Sequence, residues 1–481
     1  TKEVTHTRAT PTMDPSPKPR RLQATEVISA IAMAGIIWAG MAESAPGPGG
    51  QYSAINCRKH TAVLTDFGAV GDGKTMNTKA FQTAITNLST FAADGGAQLI
   101  VPAGKFLTGA FNLTSHFTLY LQKDAVILGS EAESDYPAFP PLPSYGVGRD
   151  APAGRYQSLV FGTNLTDIVI TGANGTIDGQ GAVWWDKFRQ SNVLKLTRPM
   201  LIEIMFSDQV QISDITVQNS PSWNIHPVYC SNVIIKGVTV LAPVDSKNTD
   251  GIDPDSCSDI KIEDCYIVSG DDCVAVKSGW DQYGIRVGMP TQRLVLRRIT
   301  CVSPFSALLA LGSELSGGIQ EVRAEDLTAV QTEAALRIKT APGRGAFVKD
   351  VYMKGLKLNS MKWVLRMAGE YGQHADGGFD PQALTAVNNI NFRDVVAENV
   401  TMAATMAGIA KAPFTGICLS NVTVLPSPKP KNIQWNCTDI QGTATEVKPP
   451  PCPQLAAGGA PCAFPADKLP IDNVVLKTCG F

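Results

Sequence analysis

The sequence has almost no charge imbalance: its 481 residues carry a formal net charge of −2. A nucleic-acid binder usually shows a basic excess, so that class is set aside, although a locally positive cleft remains compatible with neutrality overall. A membrane-length apolar stretch is also missing. The run from Val27 to about Met41, broken by Ser29, reaches roughly 15 residues where a spanning helix needs about 20. None of the 11 cysteines forms a Cys-x-x-Cys pair, so the usual zinc signature is absent, and no metal or other cofactor is expected. Beyond about residue 160, no helix-length amphipathic segment separates the strand-like stretches, which excludes βαβ units. With 44% hydrophobic and 17% charged residues, the composition is that of an ordered globular chain.

Residues 1–26 are polar, with Lys18, Arg20 and Arg21 ahead of the apolar run, and small residues with Pro and Gly follow through Gly50. This pattern predicts a signal peptide with a long leader, or alternatively an uncleaved signal anchor. A secreted protein of the extracellular space or cell wall is expected, with no membrane partner once the leader is cleaved. Seven Asn-x-Ser/Thr sequons, at Asn87, Asn112, Asn164, Asn174, Asn399, Asn421 and Asn436, fit a secreted glycoprotein. Cys437, Cys452, Cys462 and Cys479 crowd into a tail that also holds Pro449-Pro450-Pro451, so disulfides are its expected staple. The odd cysteine count leaves at least one thiol unpaired, with Cys265 and Cys273 as candidates.

A short pattern recurs along the chain: apolar, two polar or small, apolar, any, apolar. Ile212–Val217, Ile235–Val240, Ile262–Ile267, Leu296–Cys301, Met353–Leu358 and Leu419–Val424 are its clearest copies, and weaker ones start at Ala324 and Phe392. Second short strands fall between copies, at Thr249–Ile252, Val274–Val276, Leu308–Leu311 and Leu336–Ile338. Such a repeat predicts an all-β parallel β-helix, in which stacked coils bury one continuous core. An antiparallel sandwich or barrel is the alternative. The open ends of a solenoid need covers. Asn77–Phe91, with Phe81, Ile85, Leu88 and Phe91 at helical spacing, is the expected N-terminal cap, and the cysteine-rich tail the expected C-terminal one. The chain thus divides into a leader (1–50), a β-helix (51–440) and a tail (441–481).

Two acidic motifs lie 21 residues apart, Asn248-Thr-Asp250-Gly and Gly270-Asp271-Asp272-Cys, and a basic pair follows in Arg337-Ile-Lys339. In a β-helix, matching positions of successive coils share a face, so these side chains should line one groove. Clustered carboxylates raise one another's pKa, so that one keeps a proton for a leaving oxygen while another activates water. Cations beside them suit an acidic sugar polymer. Read singly, the aspartates could be turn formers or calcium ligands, and the basic pair a solvated strand face. Asp253 and Asp255 read as turn residues beside Pro254. His226 either contacts sugar, with Trp223 as a stacking platform, or is a satisfied structural histidine. Asn248 and Lys277 join the candidate substrate contacts, and Tyr371 and His374 sit in a Gly-rich loop that could border the groove.

The three motifs, in this order and spacing, resemble those of the polygalacturonases of glycoside hydrolase family 28. The stretches Asn219–His226 and Ser278–Asp281 are similar to plant members, and the resemblance covers roughly residues 60–440. It implies a right-handed parallel β-helix that hydrolyses α-1,4-linked galacturonan in pectin with inversion, acting as a monomer. By the family pattern Asp271 is the general acid, Asp250 and Asp272 activate the water, and Arg337 and Lys339 bind the galacturonate carboxylate. One departure stands out. The family's Gly-His-Gly motif is replaced by Ser306-Ala-Leu-Leu-Ala-Leu-Gly312-Ser313, with Ala307 at the histidine position. This leaves open a divergent branch, exo action or weak catalysis. Other readings are hydrolysis of rhamnogalacturonan or xylogalacturonan, a lyase of similar fold, or a wall-binding protein that keeps the groove without turnover.

Overall fold

A computed structural model describes residues 50–190, 193–428 and 434–481. The expected leader lies outside these residues except for Gly50. Among the described residues no helix is long and apolar enough to cross a membrane.

The repeated pattern has a conformational cause. Its third position takes the left-handed conformation in copy after copy: Asp214 (φ 52°), Gly237 (64°), Asp264 (58°), Arg298 (50°), Gly355 (70°) and Asn421 (52°). Gly, Asn and Asp tolerate that region best. The turn lets the apolar residues on both sides of it point inward. Coils then stack in register. Val210, Val233, Ile260, Leu294, Val322, Val351, Ile390 and Ile417 pair one on the next through parallel strands, and all are buried. At about 1.5–3 kcal/mol for each fully buried aliphatic side chain, such ladders supply the main cohesive term.

These strands belong to one long parallel sheet. A second parallel stack forms the face that carries the site. It runs through Phe111–Asn112, Val160–Thr163, Ile202–Met205 and Ile225–Val228, then Val274–Val276, Ala307–Gly312, Ala334–Lys339, Trp363–Ala368, Met402–Ala407 and Trp435–Thr438. Ile252 and Asp255 bridge its two halves, pairing with Ile225 and Val228 on one side and with Val274 and Lys277 on the other. The parallel β-helix read from the repeat is therefore the observed fold.

Helix α1 (Thr78–Ser89) forms the N-terminal cap, with Phe81, Ile85 and Leu88 buried as their spacing predicts and Phe81 stacked on Phe111 at 4.4 Å. Helices α2 (Ala182–Arg189) and α3 (Asp281–Val287) project from turns. The tail does more than cover the C-terminal end. Ile440–Lys448 and Leu455–Ala457 extend the long sheet, and the chain then runs back along it. Arg393 donates to the Cys462 carbonyl (2.9 Å), Arg323 to that of Asp467 (2.7 Å), and Arg297 pairs with Asp472 (2.7 Å). Leu469 and Ile471 pack on Ile234 and Val295, outward-facing apolar residues of the sheet. Lys477–Cys479 finally pairs with Tyr52–Ala54, closed by a Cys57–Cys479 disulfide.

Disulfides Cys418–Cys462 and Cys437–Cys452 staple the tail as expected. Cys273 does not hold a spare thiol: it is bonded to Cys301 of the next coil, where parallel stacking brings their Cα atoms to 6.0 Å. The unpaired cysteines are Cys230, Cys257 and Cys265, all buried.

Candidate active site

The two acidic motifs occupy equivalent positions of adjacent coils. The Gly251 amide donates to the Asp272 carbonyl at 2.9 Å, which stacks Asp250 over Asp272. Their glycines are dictated by this close approach. A Cβ on Gly251 would stand 2.5 Å from the Cys273 carbonyl oxygen, and one on Gly270 1.9 Å from that of Ser246. The result is a triad in which one oxygen of each of Asp250, Asp271 and Asp272 lies within 4.8 Å of the others.

Their surroundings separate the three. Asp272 is fully buried and accepts hydrogen bonds from Lys339 Nζ (2.5 Å), the Ala307 amide (3.0 Å) and Ser306 Oγ. Burial raises its pKa, but Lys339 and Arg337 outweigh that and hold it below the usual carboxylate range. Asp250 is buried with less compensation. Burial first and the Asp271 carboxylate second push it up to about 7, against the opposing pull of Lys277. Asp271 is half-buried and faces the groove, with Asn248 Nδ2 3.4 Å from its carboxylate. The site therefore keeps a proton on Asp250 at mildly acidic pH while Asp272 stays ionised.

Arg337 and Lys339 flank this triad on the second coil beyond it. Arg337 Nη1 lies 3.2 Å from Ser306 Oγ, and both cations sit within 6 Å of the Tyr371 ring, at 5.6 and 5.8 Å. Tyr371 thus borders the groove, as its loop suggested. His374 lies beside α3, bonded to Asp281 at 3.1 Å.

Two predicted contacts lie behind the groove instead. His226 has no exposed surface and is wedged between Glu203 (3.1 Å) and Asp255 (3.3 Å). Burial lowers its pKa, but the two carboxylates more than reverse this and hold it above the usual imidazole range. Lys277 is equally enclosed, its Nζ at 3.6 Å from Asp250, 3.5 Å from Asp253 and 3.4 Å from Glu314. Both are paired with buried acids beneath the groove. Asp253 and Asp255 are correspondingly not turn residues. Both are fully buried: Asp253 lies 3.5 Å from Lys277 Nζ, and Asp255 accepts from the Tyr145 hydroxyl of the 140–155 loop at 2.5 Å.

Around Ala307 the structure holds a patch of small residues. Ala275, Ala307, Ala310 and Ala334 cluster against Trp363, all four alanines fully buried. Ser306, which the motif reading passed over, supplies the side-chain bond to Asp272 at this coil. Its only sequence signal is adjacency to the vacant position. Arg149 was also missed: it bonds Glu314 at 3.0 Å and lies over the Trp280 ring at 4.5 Å. A cavity of about 330 Å³ opens beside Asn248, lined by Arg149, Trp223 and Trp280 among others.

Comparison with known proteins agrees with this geometry. Residues 94–446 match the model of glycosyl hydrolases family 28. A probable polygalacturonase of Vitis vinifera is 60% identical over 435 residues, 90% of this chain and 88% of that protein. An exopolygalacturonase of Zea mays is 26% identical, over 84% of this chain and 90% of its own length. Among solved structures, the exopolygalacturonase of Thermotoga maritima superposes with a TM-score of 0.69 at 26% identity, over 81% of this chain and 93% of that one. A polygalacturonase of Erwinia carotovora shares the fold, with a TM-score of 0.64 at 22% identity, over 80% of this chain and 96% of that one. With the family model spanning most of the β-helix, acidic triad and basic pair included, the chain belongs to glycosyl hydrolases family 28 and is a glycosidase.

Proposed function

We propose that the protein is secreted and hydrolyses α-1,4-galacturonosidic bonds of pectic galacturonan at the cell wall, with inversion at the anomeric carbon. The observation that carries this reading is a carboxylate triad within 4.8 Å, its buried members Asp250 and Asp272 shifted in opposite directions, set directly beside two cations. Polygalacturonases among its relatives act on such polymers by name. Exposure of all seven sequon asparagines is compatible with a secreted glycoprotein.

Asp271, the member that faces the groove, gives its proton to the leaving oxygen as the glycosidic bond breaks. Asp250 and Asp272 position the water that attacks the anomeric carbon, and the ionised Asp272 takes its proton. Arg337 and Lys339 hold the carboxylate of the sugar on the far side of the bond, and Asn248 keeps Asp271 oriented. His226 and Lys277 support the acids from beneath. Inverting glycosidases usually hold their carboxyl groups about 6.5–9.5 Å apart, with the water between them. The tighter cluster here requires the water to sit beside the aspartates. Proton NMR of the first product decides this point: the β-anomer is expected, and an α-anomer contradicts inversion.

The alanine patch at position 307 favours a second reading, a wall-binding protein that grips galacturonan without turning it over. Reducing-end release from polygalacturonate, rhamnogalacturonan and xylogalacturonan separates the possibilities. Release is expected from polygalacturonate foremost. Tight binding with no release at any pH overturns the hydrolase, and preference for another polymer overturns the substrate.

A further inference from the structure

A cavity lies past the aspartates, on the side of the earlier coils. Two loops, residues 140–155 and 369–380, meet there over α3. Both are fastened to one tryptophan: the Trp280 amide donates to the Ser144 carbonyl at 2.7 Å, and its indole N–H to the Gln373 carbonyl at 3.3 Å. The first loop lies hard against α3, since a Cβ on Gly146 would meet the Tyr283 ring at 2.3 Å. The cavity of about 330 Å³ lies under this junction. That is near the lower end of the roughly 300–1,000 Å³ range of small-molecule sites. It suits a single sugar residue and not a polymer passing through.

Its place along the solenoid gives it meaning. Asn248 and Trp223, which line it, belong to the two coils preceding Asp271-Asp272, whereas Arg337 and Lys339 lie on the second coil beyond. The aspartates thus stand between the cavity and the basic pair. A chain gripped by Arg337 and Lys339 and cut at the triad has room for one residue on the other side.

The cavity also carries its own cation. The Arg149 guanidinium is braced by Glu314 and by the Trp280 ring. A guanidinium has five N–H donors, so donors remain for a ligand carboxylate, and a planar, braced arginine suits one.

We infer that this cavity is a dead-end seat for one terminal uronic acid residue, with Arg149 as its carboxylate clamp, so that the protein removes sugars singly from chain ends. The inference rests on the galacturonan reading above. Binding stoichiometry tests it without relying on turnover. Asp271→Asn protein is titrated calorimetrically with galacturonans fractionated by length. One protein per chain at every length is the expected result. Several proteins per chain, rising with length, show an open groove and overturn the inference while sparing the galacturonan reading. No binding at any length overturns the galacturonan reading and the inference with it. In the same background, Arg149→Met is expected to weaken binding of a short oligogalacturonate about tenfold or more, as befits loss of a charge-assisted pair. Arg149→Lys, which keeps a partner for Glu314, is expected to weaken it less. Unchanged affinity in both variants removes Arg149 as the clamp.

Discussion

At the scale of single residues, the site depends on two aspartates in adjacent coils being treated oppositely. Asp272 is held ionised by Lys339, while Asp250 is pushed up to about 7 by burial and by Asp271. The sign of the pH effect follows. A carboxyl group whose folded pKa lies above its unfolded one stabilises the fold most below the unfolded value, and that contribution is lost as pH rises through the folded value. Thermal stability should therefore decline between roughly pH 4 and 7. In Asp250→Asn that decline in Tm should flatten; an unchanged slope would show that Asp250 ionises normally. Lys339→Met strands Asp272 as a buried, unpaired charge. Breaking such a pair costs on the order of 3–5 kcal/mol, to be read as a Tm shift together with loss of turnover. The motifs holding these groups were legible in the sequence because each is local and placed by the repeat. The surroundings of Asp255 and its partner His226 were not legible in this way, because the Tyr145 hydroxyl that covers Asp255 comes from a loop 110 residues earlier. Position on a face says nothing about whether a distant loop closes over it.

At the scale of the element, the coil is defined by its left-handed turn and by glycines where coils touch. The apolar periodicity exposed the first, so the fold and the α1 cap could be read before any coordinates. Gly270 shows what periodicity leaves out, because its requirement comes from the Ser246 carbonyl on the neighbouring coil. Gly270→Ala should destabilise the protein by about 1–3 kcal/mol, the usual range for overpacking. It should also lower turnover by displacing Asp271. A Tm and turnover rate equal to those of the parent protein would contradict this tight approach. The pairing of Cys273 with Cys301 was likewise invisible, since it depends on which cysteines the stacking register superposes.

At the scale of the whole molecule, the solenoid is strapped lengthwise by its own tail. Leu469 and Ile471 cover apolar residues that would otherwise face water, and the Cys57–Cys479 disulfide ties the tail's end to the first described strand. Replacing both cysteines by serine should cost about 2–5 kcal/mol, seen as a lower Tm, with turnover at moderate temperature preserved because the strap lies on the sheet away from the groove. Sequence composition marked the tail as needing staples, but not its return path, which only the long-range register shows. The proposed chemistry depends on the acidic triad. Reducing-end release from polygalacturonate should be compared between the parent protein and Asp271→Asn, with circular dichroism confirming that both are folded. General acid catalysis contributes roughly 10²–10⁴-fold, so a loss of at least about a hundredfold in the variant is predicted; release undiminished in a folded Asp271→Asn protein would contradict the account.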